Sequence, residues 1–338
     1  RLWMLRPCSS AVVWTSSPIT MGDIVERRPV EFERDVVPLL FGDTGPEEEP
    51  ALVLLNDTAG TGRSRATAAV TQQHPGIAVI SDRDLQMWAT ASANPGDTER
   101  EGADWLQRCI GYARTHRRSI LLEGSSFSTA SLRAATAFAA SGFTTRVAVV
   151  GVRPAEALLA DASRFSAATL AGSRTSLTDV DRAVRGAREL VQALVNNPSV
   201  DRLTVISRDG DVEFDARAGD GSFTAASSGL EAALTRRLTS LRAAQWLSEL
   251  RRVTEFAETL QGPREFTERL IALHGLAVRE IIPELDIPTG SPVAALQEQR
   301  SAAALASLRR SLAPTRPRED LASPVISAPS GPDRGLGR

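Results

Sequence analysis

The chain has 338 residues, 42% of them hydrophobic and only 5% aromatic, and its formal net charge is −2. That length supports about two domains with a large buried core, and the near-neutral balance gives no whole-chain basic field, which argues against wholesale nucleic-acid binding. No run of about 18 apolar residues occurs, so the sequence offers no membrane span. Cys8 and Cys109 suggest neither a disulfide framework nor a metal knuckle, and two free thiols in a reducing cytoplasm are expected.

Arg1 to Thr20 opens with basic residues and an apolar patch at Ala11 to Trp14 that is too short for a signal-peptide core. A chain that begins with Arg1 and offers Met4 and Met21 has the pattern of an over-extended reading frame, and residues 1–45 are set apart as an N-terminal segment. After an acidic break at Gly42 to Pro50, apolar strands alternate with amphipathic helices, the signature of a parallel α/β sheet. Strands are predicted at Leu52–Leu55, Ile77–Ile80, Ser119–Leu122, Arg146–Val150 and Arg202–Ile206, with helices at Arg63–Gln72, Glu101–Thr115, Thr129–Ala140, Pro154–Leu170 and Thr178–Val195. Asp-Gly pairs around one more short strand close this unit between Ser207 and Phe223. Residues 46–223 therefore read as one domain. From 224 to 312 the periodicity is helical, with breaks at Gly262–Pro263 and around Pro283–Pro292, and residues 313–338 are too rich in Pro, Ser and Gly to bury a core, so a disordered tail is expected.

Leu52 to Ser64 reads as a buried strand entering a phosphate-binding loop. It nearly matches the pattern Gly-x-x-x-x-Gly-Lys-Ser/Thr, with Asp57 at the first glycine and Arg63 at the lysine. All 39 basic side chains are arginine, so no lysine elsewhere can take that place. Thr58, Ala59, Gly60, Thr61 and Gly62 would form the ATP-binding cradle, and the helix from Ser64 would aim its positive end at the phosphates. Ser64 supplies a hydroxyl for magnesium. An arginine keeps the lysine's charge as a wide planar fork, so it meets phosphate oxygens from another angle. The same residues also fit an ordinary strand-to-helix turn.

The second strand runs out at Asp82-Arg83-Asp84 and the third at Glu123-Gly124. Carboxylates at the carboxyl ends of strands beside a phosphate loop stand where α/β sheets bind ligands; each alone could mark the point where the chain meets water. With the threonine-led helix at Thr129, the strand end Gly151-Val152, Arg164-Phe165 on a helix and Arg174-Thr175 on the next loop, the order of signals resembles the zeta-toxin family over about Leu52 to Asp215. Those proteins are P-loop kinases of UDP-N-acetylglucosamine, acting on the 3′-hydroxyl of the amino sugar and balanced by an antitoxin.

The resemblance implies a P-loop kinase fold, ATP and magnesium as requirements, and a role for each matching residue. Asp84 would be the general base, Glu123 with Thr129 would bind the sugar nucleotide, and Arg164 and Arg174 would clamp the phosphates beside Arg63 and Ser64. The chain departs from the family where Leu85-Gln86-Met87-Trp88 follows Asp84 in place of His-Pro, and where Val180-Asp181 stands for His-Asp. His74, His116 and His274 have no metal-ligand spacing and read as structural. The arginine pairs at Arg117, Arg236 and Arg251 lack interleaved aromatics and read as solvated faces.

Overall fold

The computed structural model describes residues 30–42, 45–57, 63–81, 84–85, 88–89, 98–124, 131–172, 176–260, 262–288 and 290–312. Six strands form one sheet in the order β2-β3-β1-β4-β5-β6: β1 Ala51–Asp57, β2 Ala78–Ser81, β3 Ile120–Gly124, β4 Thr144–Gly151, β5 Arg202–Ser207 and β6 Val212–Arg217. The first five are parallel, and β6 returns antiparallel to β5. All residues of β1 and β3 are buried, as expected of central parallel strands with both faces covered, whereas β6 is an edge strand with no buried residue. The five parallel strands match the predicted ones to within two residues at their ends, because a buried apolar run bounded by polar residues is a strong local signal.

The covering helices are α1 Val37–Phe41, α2 Arg63–Gln73, α3 Thr98–Thr115, α4 Ser131–Ala139, α5 Pro154–Leu170, α6 Val180–Asn196 and α7 Ala226–Thr235. The sheet core takes Leu54 and Leu121 from the strands, Val70 from α2, Phe138 from α4, Leu190 from α6, and Leu230 and Leu234 from α7. The range 46–223 read from the sequence thus leaves out a helix that packs on the sheet. Its approach is close: a Cβ at Gly151 would lie 2.5 Å from Ala233 Cβ, and one at Gly229 would lie 2.9 Å from Phe214 Cβ. Two glycines allow α7 to lie directly on β4 and β6.

A second core lies beyond the sheet, built by α8 Ser240–Leu260, α9 Arg264–Leu276 and α10 Pro292–Leu312. Trp246, Leu250, Phe266, Leu270 and Leu308 meet Ala155, Leu159 and Ala162 on the outer face of α5. Pro263 caps α9 and Pro292 opens α10, at the two breaks read from the sequence; the further break at residues 236–239, between α7 and α8, has no proline or glycine to announce it. No helix among the described residues is long and apolar enough to cross a membrane.

Candidate functional site

The carboxyl ends of three adjacent strands converge on the start of α2. Register pairs Leu55 of β1 with Glu123 of β3, and Glu123 with Ser81 of β2, so the last residues of β1, β2 and β3 share one edge of the sheet. Asp57 ends β1 fully buried, and Arg63 opens α2 with its Nε donating to Asp57 Oδ2. The two residues that depart from the phosphate-loop pattern are therefore ion-paired to each other. A carboxylate taken out of water needs such a partner, which explains why the two departures occur together. Ser64 is exposed on the first turn of the same helix. The predicted cradle residues Thr58, Ala59, Gly60, Thr61 and Gly62 lie outside the described residues.

Asp84 is half-buried and bonded reciprocally to Ser81. Its Oδ2 accepts from Ser81 Oγ at 2.7 Å and from Ser81 N at 3.1 Å, while Asp84 N donates to Ser81 Oγ at 3.2 Å. Ser-x-x-Asp here is a capping box closing the turn after β2, a role for Asp84 that the strand-end reading missed although the spacing stood in the sequence. Leu85 and Trp88, where the family has other residues after its base, are buried in the sheet core.

Glu123 is 8% exposed, and Thr67 Oγ1 on α2 donates to its Oε1. Burial holds the Glu123 carboxyl above the usual glutamate range; the Thr67 hydrogen bond and the Arg63 charge oppose this, whereas Asp57 and Asp84 add to it. Glu123 thus feels all three neighbouring charges. Thr67 was not singled out from the sequence, yet it lies one turn after Arg63, on the same face of α2.

Arg164 stands on α5, half-exposed, with Nη2 3.0 Å from Oδ1 of the buried Asp161. Arg174, Thr129 and Asp82 lie outside the described residues. Val180, at the family's histidine position, is buried in the sheet core at the start of α6. A cavity of about 400 Å³ past the end of β5, lined by Glu156, Ser163, Arg208, Arg242 and Trp246, has no local signature in the chain. Glu156 there accepts from Arg208, and burial raises its carboxyl against that pull. Arg65 of α2 reaches the adjoining turn, with Nη1 3.4 Å from Asp209 O. Among the described residues no group of three or more His, Cys, Asp or Glu could hold a metal, so an ion at the α2 corner would rely on Ser64 and on phosphate oxygens.

No curated protein matches the chain. Among solved structures, the toxin–antitoxin system PezAT of Streptococcus pneumoniae aligns over 66% of this chain and 93% of its own, with a TM-score of 0.54 at 14% identity, a likeness of fold. Weaker matches are a putative kinase from Chloroflexus aurantiacus, with a TM-score of 0.32 at 16% identity over 40% of this chain and 76% of its own, and AvrRxo1-ORF1:-ORF2 with ATP, with a TM-score of 0.37 at 14% identity over 78% and 76%. The sequence model of the Zeta toxin family matches residues 40–218, more than half of the chain. The sheet order, the loop-to-helix corner and this match agree: the chain belongs to the zeta-toxin family and has its P-loop kinase-like fold, with a C-terminal helical layer added.

Proposed function

We propose that the protein is a zeta-toxin-type phosphotransferase that uses ATP and magnesium to phosphorylate the 3′-hydroxyl of UDP-N-acetylglucosamine in the cytoplasm, and that an antitoxin restrains it. One observation carries the reading: Asp84, Glu123 and Arg63 gather at the carboxyl ends of three neighbouring strands around the N-terminus of α2, the place where a parallel sheet presents a ligand to a helix dipole. The antitoxin follows from the family and from the toxin–antitoxin system named for the pneumococcal relative.

In this reading ATP lies along the loop from Thr58 to Gly62 with its phosphates at the start of α2. Ser64 holds magnesium, which when bound draws charge from the phosphate oxygens. Asp84 takes the proton of the sugar hydroxyl. Ser81 occupies Oδ2, which fixes the carboxylate and leaves Oδ1 to accept that proton. Glu123, held by Thr67, orients the sugar nucleotide together with Thr129. Arg164 and Arg174 bring positive charge to the transferring group, since phosphoryl transfer is chiefly positioning and charge neutralisation.

The Asp57–Arg63 pair favours a second reading, a descendant that binds nucleotide or a partner without turnover, because it commits the charge at the lysine position to a buried carboxylate. A kinase with another nucleotide acceptor is the third. Mass spectrometry of products after incubating the protein with ATP, magnesium and a pool of nucleotide sugars separates them: a phosphate on UDP-N-acetylglucosamine supports the first, on another acceptor the third, and none with ATP bound the second.

A further inference from the structure

Helix α5 belongs to both cores. Ala157 packs into the sheet core, while Ala155, Leu159 and Ala162 pack into the helical layer. Charge fastens it to that layer at its N-cap and at its middle. At its N-cap, Arg153 donates to Glu284 at 2.8 and 2.9 Å and to Glu280 at 3.0 Å. Two turns on, Asp161, 3% exposed, receives Arg269 Nη1 of α9 at 3.2 Å on Oδ2. The same Oδ2 accepts the backbone N–H of Thr178 at 2.9 Å, and Oδ1 accepts from Arg164 Nη2 at 3.0 Å. Arg269 completes the ring with Nη2 donating to Thr178 O at 3.0 Å, and next to it Phe165 stacks on Phe266 of α9, with centroids 4.7 Å apart.

One buried carboxylate thus gathers Arg164, the end of the loop that carries Arg174, and an arginine from the helical layer. Asp161 has a single negative charge, and Arg269, only 17% exposed, shares it with the 47% exposed Arg164. Coulomb attraction is strong where water is excluded. With Arg269 present, the one negative charge of Asp161 is divided between two guanidinium groups and does not neutralise Arg164 by itself; without it, the buried carboxylate draws Arg164 onto itself. Thr178 would lose one of its two ties as well.

We infer that Arg269 is a positioning residue, through which the C-terminal helical layer sets Arg164 and Thr178 for phosphoryl transfer. The inference rests on the proposed function. It makes the layer part of the kinase mechanism: whatever shifts α9 shifts the phosphate clamp.

The test is a double-mutant cycle on the full chain, read as kcat/KM for ATP with thermal unfolding in parallel. Arg269→Gln should lower kcat/KM about 10–100-fold, the scale of a misplaced clamp, and should add less than about 2-fold when Arg164 is already Ala, because acting through one residue makes the effects non-additive. Arg269→Lys, which keeps the charge, should recover most of the loss. If Arg269→Gln does not fold, Asp161→Asn with Arg269→Gln removes both charges at similar volume; Arg164 then loses its anchor instead of being drawn in, and kcat/KM should again fall only where Arg164 is present. A folded Arg269→Gln protein with wild-type kcat/KM, or an equal loss in both backgrounds, overturns the inference alone. If the wild type binds ATP without transferring phosphate, the same cycle is read by ATP calorimetry with the same criteria. A wild type that binds no ATP overturns the proposed function and this inference together.

Discussion

Asp57 and Arg63, six residues apart at the two ends of the predicted phosphate loop, form one ion pair whose carboxylate is fully buried and whose guanidinium is 22% exposed. A lysine restored at 63 would still face that carboxylate. Arg63→Lys alone should therefore raise ATP affinity or turnover less than Asp57→Gly with Arg63→Lys, which frees the ammonium for the phosphates. A charge newly aimed at the transferring group has a scale of about 2.7–4 kcal/mol in the transition state. Arg63→Ala should destabilise the fold by about 3–5 kcal/mol, since it strands a buried charge. Titration calorimetry, a coupled ATPase assay and urea unfolding read the three variants; equal gains from the single and double changes would refute the pairing argument.

Asp84→Asn should lower phosphorylation about 10²–10⁴-fold, the contribution of a general base. Acceptor affinity should stay level, because an asparagine carbonyl can still accept from Ser81. The capping role separates from the chemical one in Ser81→Ala, which should cost about 1 kcal/mol of stability as a lost cap and reduce turnover less. Steady-state kinetics and acceptor binding on both variants decide it, and wild-type phosphorylation by Asp84→Asn would transfer the base assignment to Asp82.

Glu123 opposes stability to function. Its folded-state carboxyl titrates above the unfolded one because it is buried, so the folded chain holds the proton longer and stability falls as pH rises through the unfolded and then the folded range. Glu123→Gln keeps an acceptor for Thr67 and removes the charge. It should raise the unfolding midpoint at neutral pH, flatten that slope and weaken sugar-nucleotide binding, as read by denaturation at several pH values and by calorimetry; a lowered midpoint at neutral pH would contradict it.

His274 should give pH dependence of the opposite sign. Thr254 Oγ1 donates to Leu250 O at 2.8 Å, so it accepts from His274 Nε2 at 3.0 Å. Burial pushes its pKa from 6.5 down to about 4. Below the unfolded value the unfolded chain binds the proton first, so stability present at neutral pH is lost as pH falls through this window and is level beneath it. The loss is on the order of 3 kcal/mol. Urea midpoints at about pH 7.5 and about pH 5 should differ more for the wild type than for His274→Gln, carboxylates being common to both; equal differences would count against the buried neutral ring.

The proposed domain division falls between α7 and α8, because α7 shares the sheet core and α8 does not. A chain ending after Thr235 should unfold cooperatively, though with a lower midpoint now that the outer face of α5 is bare. One ending after Phe223 should not, having lost Leu230 and Leu234. Urea unfolding followed by circular dichroism tests both, and cooperative unfolding of the shorter chain would restore the division to Phe223.

The strands and the order of polar strand ends are written in a few consecutive residues each: a buried apolar run, and a carboxylate where the run stops. The positions of Asp84 and Glu123 at or just past strand ends follow for that reason. What those residues touch depends on how the elements pack. That Asp57 neutralises Arg63, that Thr67 holds Glu123, and that Arg269 reaches Asp161 across 108 residues of chain are matters of which helix crosses which strand end. Likewise Gly151 and Gly229 look like ordinary turn and helix residues until α7 lies against the sheet and leaves no room for a Cβ. Burial turns these placements into chemistry, because a charge away from water must find its partner wherever the fold brings one.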